Sequence, residues 1–227
     1  MEDSNSMSTP YLYGTSMDPP HDHEVLRTDI EQLYRKALGE IRYIADSTRP
    51  DIAFPAAALA RALKKPTARH WHADFANDEQ TRKSFSGTIV TLNDSTVYWQ
   101  AKQQPIVAKS TCEAEYIAAA ETATHAIWLR NMLTEIGIYT TELPIRIDNT
   151  AAEHIAKQKA PTKRRKCIDI RYHYLQDVTQ NQTVAVQRIG SKDMPADIMT
   201  KPVKAPLYHK HRQHLGVIMR PPPTAAS

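Results

Sequence analysis

The 227-residue sequence predicts a mixed α/β (α+β) fold, on three observations. Short β-rich segments recur at Thr88–Leu92, Val97–Gln100, Leu143–Ile147 and Val184–Ile189, each bounded by turn residues. A long helical pattern, Thr111–Ile136, separates the second from the third. Helix and strand signals then alternate to the end, the order of a sheet with helices packed on it.

Taken in order, residues 1–28 are rich in Ser, Pro, Asp, His and Met without period, and read as a disordered leader. Residues 29–47 predict a helix, with Ile30, Leu33, Leu38, Ile41 and Ile44 at roughly helical spacing. Arg49-Pro50-Asp51 ends it, and a second helix runs over 52–63 with Pro55 in its first turn. This helical hairpin buries little alone and needs a larger partner. A strand also fits residues 70–75. Asn93-Asp94-Ser95 marks a turn between the next two strands. Ser110 and Glu113 have the spacing of a capping box, and Gly137 ends the long helix. Thr150 and Glu153 repeat the capping spacing before the next helix. A helix over 168–178, a helical segment opened by Pro195, a helix over 203–215 and a Pro/Ala-rich tail over 217–227 complete the chain.

Composition narrows the function classes. Two cysteines, Cys112 and Cys167, make no disulfide framework, which favours an intracellular protein, cytoplasmic or nuclear, over a secreted one. No apolar run of about 18 residues or signal peptide is evident, so no membrane is expected. The net charge is +4, and its distribution says more than its total. Lys157, Lys159, Lys163, Arg164, Arg165, Lys166 and Arg171 place seven cations in fifteen residues. Such a run is either a solvated helix face or a grip on a phosphate backbone.

Three carboxylates sit at element ends. Glu115 lies one turn into the long helix, Asp148 follows the third strand, and Asp197 opens the segment after the last strand. Glu113 has the capping task; Glu115, two residues on, points to nearly the opposite side and has none. Strand ends and adjacent helix starts converge on one rim of an α/β sheet, where ligands bind. Converging carboxylates repel unless a divalent cation neutralises them, and oxygen-only ligation favours Mg²⁺ or Mn²⁺. Glu115, Asp148 and Asp197 are therefore the candidate metal ligands. The bland alternatives are a half-exposed helix residue, a helix cap and a dipole-complementing charge. His209, His211 and His214 resemble a metal pattern, but on a helix they spread over the surface and read as unrelated.

Several stretches together resemble the C-terminal part of the Pol polyprotein of copia-type (Pseudoviridae) LTR retrotransposons. They are Tyr34–Gly39, Thr48–Phe54, Arg82–Gly87, Ser110–Ala118, Asp148-Asn149, Ile168–His173 and Ala196–Pro202, in family order. The resemblance implies that 29–70 are the last, thumb-side helices of a reverse transcriptase. It implies that 71–216 form a ribonuclease H-like domain, a mixed five-stranded sheet flanked by helices, which in the family cuts RNA in RNA–DNA hybrids with two Mg²⁺ ions. Glu115, Asp148 and Asp197 fall on three of that family's four catalytic carboxylates. Lys159, Lys163, Arg164, Arg165, Lys166 and Arg171 would contact the hybrid, and other Pol or integrase parts are expected partners.

The fourth carboxylate departs from the pattern. The family reads Ser-Asp-Ala-Asp on its central first strand, and here Trp71-His72-Ala73-Asp74 stands there, with His72 in place of the metal-bridging aspartate. Imidazole is a poor Mg²⁺ ligand. Asp74 shares the strand face but lies ~6.6 Å further along, so it serves only after a two-residue slip. Arg69-His70-Trp71 joins the helical part directly to this motif, which implies an internal deletion that truncates the first strand. The resemblance thus implies impaired catalysis. A non-enzymatic nucleic-acid-binding module and a decayed remnant are the alternatives.

Overall fold

The computed structural model of the chain describes residues 28–64, 66, 83–140, 143–157 and 170–218. Helix α1 is Thr28–Ser47 and α2 is Ala53–Ala60, linked by a 3-10 turn at Pro50–Ile52. Strands β1 (Phe85–Leu92) and β2 (Ser95–Gln103) form an antiparallel pair. Helix α3 (Thr111–Glu135) leads to β3 (Leu143–Ile147) and α4 (Thr150–Lys157). Helix α5 (Ile170–Gln180) returns to β4 (Val184–Arg188), which pairs parallel to β3. Two 3-10 turns, Ser191–Asp193 and Pro195–Met199, precede α6 (Ala205–His214).

The expected five-stranded sheet is replaced, among the described residues, by two separate two-stranded sheets, β1-β2 and β3-β4. The strand expected at 70–75 lies outside the described residues. Both hairpin strands are longer than the sequence reading. Ser84 O accepts from Gln104 N at 2.8 Å just beyond the pair. The alternation behind the extension was hidden by Gly87. The turn is a two-residue loop, with Asn93 and Asp94 at φ 48° and 61° and Leu92 paired to Ser95. Both central residues at positive φ match the right-handed twist of the strands.

Helix α3 packs across both sheets. Its Tyr116, Ala119, Ala120 and Ala123 share a core with Ile145, Ile147, Val184 and Val186. Small residues at three of these positions let the helix approach closely. The Thr122 and Thr88 hydroxyls meet at 3.1 Å, and Gln104 Nε2 donates to Ser86 Oγ at 3.0 Å and to Ala114 O at 2.9 Å.

The opposite face of β1-β2 carries the helical hairpin, the larger partner it required. Phe54 meets Phe85 edge-on at 5.1 Å, and Trp99 Nε1 donates to Ala45 O at 2.8 Å. Ala53 shares a core with Ile198, Met199, Val203 and Tyr208. Asp51, 1% exposed, accepts two bonds from Arg49 at 2.7 and 2.8 Å and one from the Tyr208 hydroxyl at 3.3 Å. A buried carboxylate so paired ties α6 to the hairpin, because an unpaired one would carry a large desolvation cost. The buried face of α1 is Tyr34, Leu38 and Ala45. Of the apolar positions that marked the helix, Leu38 is buried, whereas Leu33, Ile41 and Ile44 are exposed. Tyr34 sets the rotation by donating to Leu59 O at 3.0 Å.

Three helices end in the same motif. Gly137 and Gly216, at φ 84° and 77°, close α3 and α6. At α3 the Gly137 and Ile138 amides donate to Thr134 O and Leu133 O, a Schellman closure. Helix α5 repeats it with Gln182 at φ 55°, where the Gln182 and Thr183 amides donate to Thr179 O and Val178 O. An L-residue with a Cβ is strained there. Gln182→Gly is expected to stabilise the chain by about 1 kcal/mol, read as a higher urea midpoint at unchanged slope.

Candidate functional site

The start of α3 separates the two glutamates. Ser110 Oγ accepts from Glu113 N at 3.1 Å, and Glu113 Oε2 accepts from Lys109 N at 2.6 Å. The expected reciprocal bond thus goes one residue upstream of Ser110, and Glu113 is committed to the helix start. Glu115 turns the other way, into a small cavity of about 40 Å³ that Gly87, Ile145, Ile147 and Asp197 also line.

Asp148 directly follows β3. The helix beyond it is capped by Asn149, whose Oδ1 accepts from Ala151 N and Ala152 N at 3.0 Å each. This corrects the capping box expected at Thr150. Thr150 is the first helical residue, and Glu153 instead pairs with Lys157 at 2.6 Å. That pair also removes Lys157 from the uncompensated basic run. Asp148 itself has no capping task among these bonds.

Asp197 sits in the 3-10 turn Pro195–Met199, where Lys201 Nζ meets its Oδ1 at 2.9 Å. The turn lies directly on β1 at Gly87. A Cβ on Gly87 would stand 2.7 Å from Ala196 O and 2.8 Å from both Met199 Cβ and Thr200 Cγ2. Gly87 and Lys201 are the two site residues that the reading of chemistry-bearing types missed. The available signals were a glycine inside a strand and a cation four residues after Asp197.

The three carboxylates share one electrostatic field. Burial first, then the charges of Asp148 and Asp197, push the Glu115 carboxyl up to about 7 from 4.5, with Lys201 opposing. Burial also raises Asp197, against the hydrogen bond and charge of Lys201. The donor set is therefore oxygen-only and under-compensated, which fits a hard divalent cation in chemistry. Yet among the described residues no group of three His, Cys, Asp or Glu side chains stands close enough to hold one metal ion.

The other expected site residues fall elsewhere. His72, Asp74, Lys159, Lys163, Arg164, Arg165 and Lys166 lie outside the described residues. Arg171 is in the first turn of α5, with its side chain outside the description. The three histidines of α6 do not all spread over its surface. His211 is fully buried, and neither ring nitrogen has a hydrogen-bond partner among the described residues. Burial pushes its imidazole down to about 4, with His214 and Lys210 adding to the effect and Asp193 opposing.

Fold and site define an α/β protein with an acidic site at the rim of its strands and a helical hairpin on the opposite face of one sheet. Comparison with known proteins places that class. The chain is 31% identical over 215 residues to the retrovirus-related Pol polyprotein from transposon TNT 1-94 of Nicotiana tabacum. It is 28% and 29% identical over 222 residues to those from transposons RE2 and RE1 of Arabidopsis thaliana. These matches cover 81–83% of this chain but only 15–16% of each relative's length. The chain belongs to the retrovirus-related Pol polyproteins of copia-type plant transposons. No protein-family profile matches it, and no solved structure matches it.

Proposed function

We propose that the chain is a segment of a retrotransposon Pol polyprotein that joins reverse-transcriptase thumb helices to a ribonuclease H-like domain with impaired catalysis. The observation that carries this reading is the shared field of Glu115, Asp148 and Asp197 at one rim. Glu115 is buried and carries the repulsion of both Asp148 and Asp197, an arrangement that favours a functional site. The resemblance makes Glu115, Asp148 and Asp197 three of the family's Mg²⁺ or Mn²⁺ ligands, but as they stand no three such side chains among the described residues close on one ion. Bound there, the ions would supply an activated water and charge stabilisation at the leaving oxygen of a phosphodiester. The chain's own residues do the rest. Gly87 seats the turn that carries Asp197, and Lys201 holds Asp197. The lack, among the described residues, of three side chains able to hold one ion and the histidine at position 72 both support impairment.

Cleavage of a labelled RNA–DNA hybrid in Mg²⁺ or Mn²⁺ tests this directly. The expected result is trace turnover, raised by His72→Asp. Robust turnover by the unaltered chain, abolished by Asp148→Asn, would sink the impaired reading. The run Lys159–Arg171 favours a second reading, in which nucleic-acid binding persists without cleavage. It requires hybrid binding that falls steeply with salt.

A further inference from the structure

Helix α3 carries an apolar ridge that the core does not use. Its inward face is Tyr116, Ala119, Ala123 and Ile127, which pack on β3 and β4. A helix laid on a core normally turns polar residues to the opposite side. The last two turns of α3 do the reverse. Trp128, Met132 and Ile136 follow one another at four-residue spacing, which stacks them in one row on the side away from that face. Trp128 is 63% exposed, Met132 39% and Ile136 68%. Ile138 and Tyr139, just past the Gly137 turn, are 48% and 80% exposed.

The size of this surface is the first argument for what covers it. The five side chains leave about 600 Å² of largely apolar area in water. That is the upper end of what the largest patch on a monomer reaches. It is also most of the roughly 800 Å² that each partner of a stable complex buries.

The second argument is that the row fits another copy of itself. Two such ridges crossing antiparallel about a twofold axis at Met132 set Trp128 of each copy against Ile136 of the other. The large indole then meets a smaller side chain twice, and the two flexible Met132 thioethers fill the middle. Ridges of four-residue spacing interdigitate at a crossing angle of about −50°. A parallel pair would set indole against indole and align the two helix dipoles, whereas the antiparallel pair opposes them. Asn131 borders the ridge on the same side as Glu135. Its Oδ1 accepts from Arg130 Nη2 at 3.3 Å, which turns its amide N–H groups outward, toward Glu135 of the other copy.

We propose that the Trp128–Met132–Ile136 ridge is a homodimer interface, occupied by the same ridge of a second copy in antiparallel register. Apolar burial supplies the affinity, and the alternation of a large and a small side chain about Met132 sets the register. Dimerisation of this kind does not rest on any nuclease activity.

Sedimentation of the full chain tests the association. The expected result is a reversible dimer with a dissociation constant of about 10 µM or tighter. Trp128→Glu and, independently, Ile136→Lys should each weaken it by about tenfold or more. Both sites are exposed, so the melting temperature of the dilute chain should stay within about 2 °C. Cross-linking tests the register. Under mild oxidation Met132→Cys should form a disulfide dimer well above the background set by Cys112 and Cys167 of the unaltered chain. Thr134→Cys, exposed but off the ridge, should stay at that background. A chain still monomeric at about 100 µM overturns the proposal and leaves the ridge to a different protein. A dimer indifferent to both charge substitutions overturns it as well. So does a fall in melting temperature of more than about 5 °C in both variants, which would mean that the chain covers its own ridge. Equal cross-linking at positions 132 and 134 overturns the antiparallel register.

Discussion

Gly87→Ala is expected to cost about 3 kcal/mol of stability, a loss of roughly 10 °C in melting temperature for a chain of this size. The added methyl would stand 2.7 Å from Ala196 O, a backbone atom that cannot rotate away. Two further contacts at 2.8 Å, to Met199 Cβ and Thr200 Cγ2, leave the turn no room to accommodate it. The turn must lift off β1, and Asp197 moves with it. The carboxyl of Glu115 should then lose part of the repulsion from Asp197 and titrate lower. Thr200→Ser in the same chain removes the Cγ2 contact and should recover only part of the loss. A melting temperature within about 2 °C of the unaltered chain would show that the turn is not seated on β1 as described.

This dependence marks where sequence reading stopped. The convergence of the three carboxylates was legible because each stood at a predicted element end, and Glu115 feels the charges of both Asp148 and Asp197. Their neighbours were legible only in three dimensions. Gly87 is a strand residue whose meaning lies in a turn more than a hundred residues later. Thr150 matched a capping pattern, yet Asn149 is one residue better placed to receive the Ala151 and Ala152 amides. The hairpin of α1 and α2 was legible as helices, whereas its rotation depends on Tyr34 reaching Leu59 O and on Trp99 reaching Ala45 O. Side-chain bonds over such separations leave no period in the sequence. The histidines of α6 show the converse limit. Spacing spread them over a helix surface, but tertiary packing turned His211 inward with its nitrogens unsatisfied.

The hairpin and the acidic rim are mechanically joined through this packing. Ala53 shares a core with Ile198 and Met199, the residues that follow Asp197. Asp51 holds Tyr208 on α6. The α1–α2 hairpin therefore braces, from behind, the turn that presents Asp197. The packing between the hairpin and the C-terminal part of the chain is continuous in the core around Met199.

Glu115→Gln is expected to stabilise the chain at alkaline pH by about 3 kcal/mol. The carboxyl titrates near 7 in the fold and near 4.5 when free. Its folded value is raised, so the stability it contributes is complete below 4.5 and lost as pH rises through about 7. Glutamine keeps the shape and the neutral state, and so escapes that loss. His211 works in the opposite direction. Its folded value is lowered to about 4 from 6.5, so its contribution is present above 6.5 and lost as pH falls through about 4. The two windows overlap, and in the unaltered chain they offset each other between about pH 4.5 and 6.5. Stability measured by urea unfolding should therefore vary little across that range. In Glu115→Gln the opposing Glu115 slope is gone, and stability should climb with pH from 4 to 6.5 as the His211 contribution returns. If the variant tracks the unaltered chain from pH 4 to 9, Glu115 is an ordinary solvated carboxylate and the acidic rim is not a coupled site.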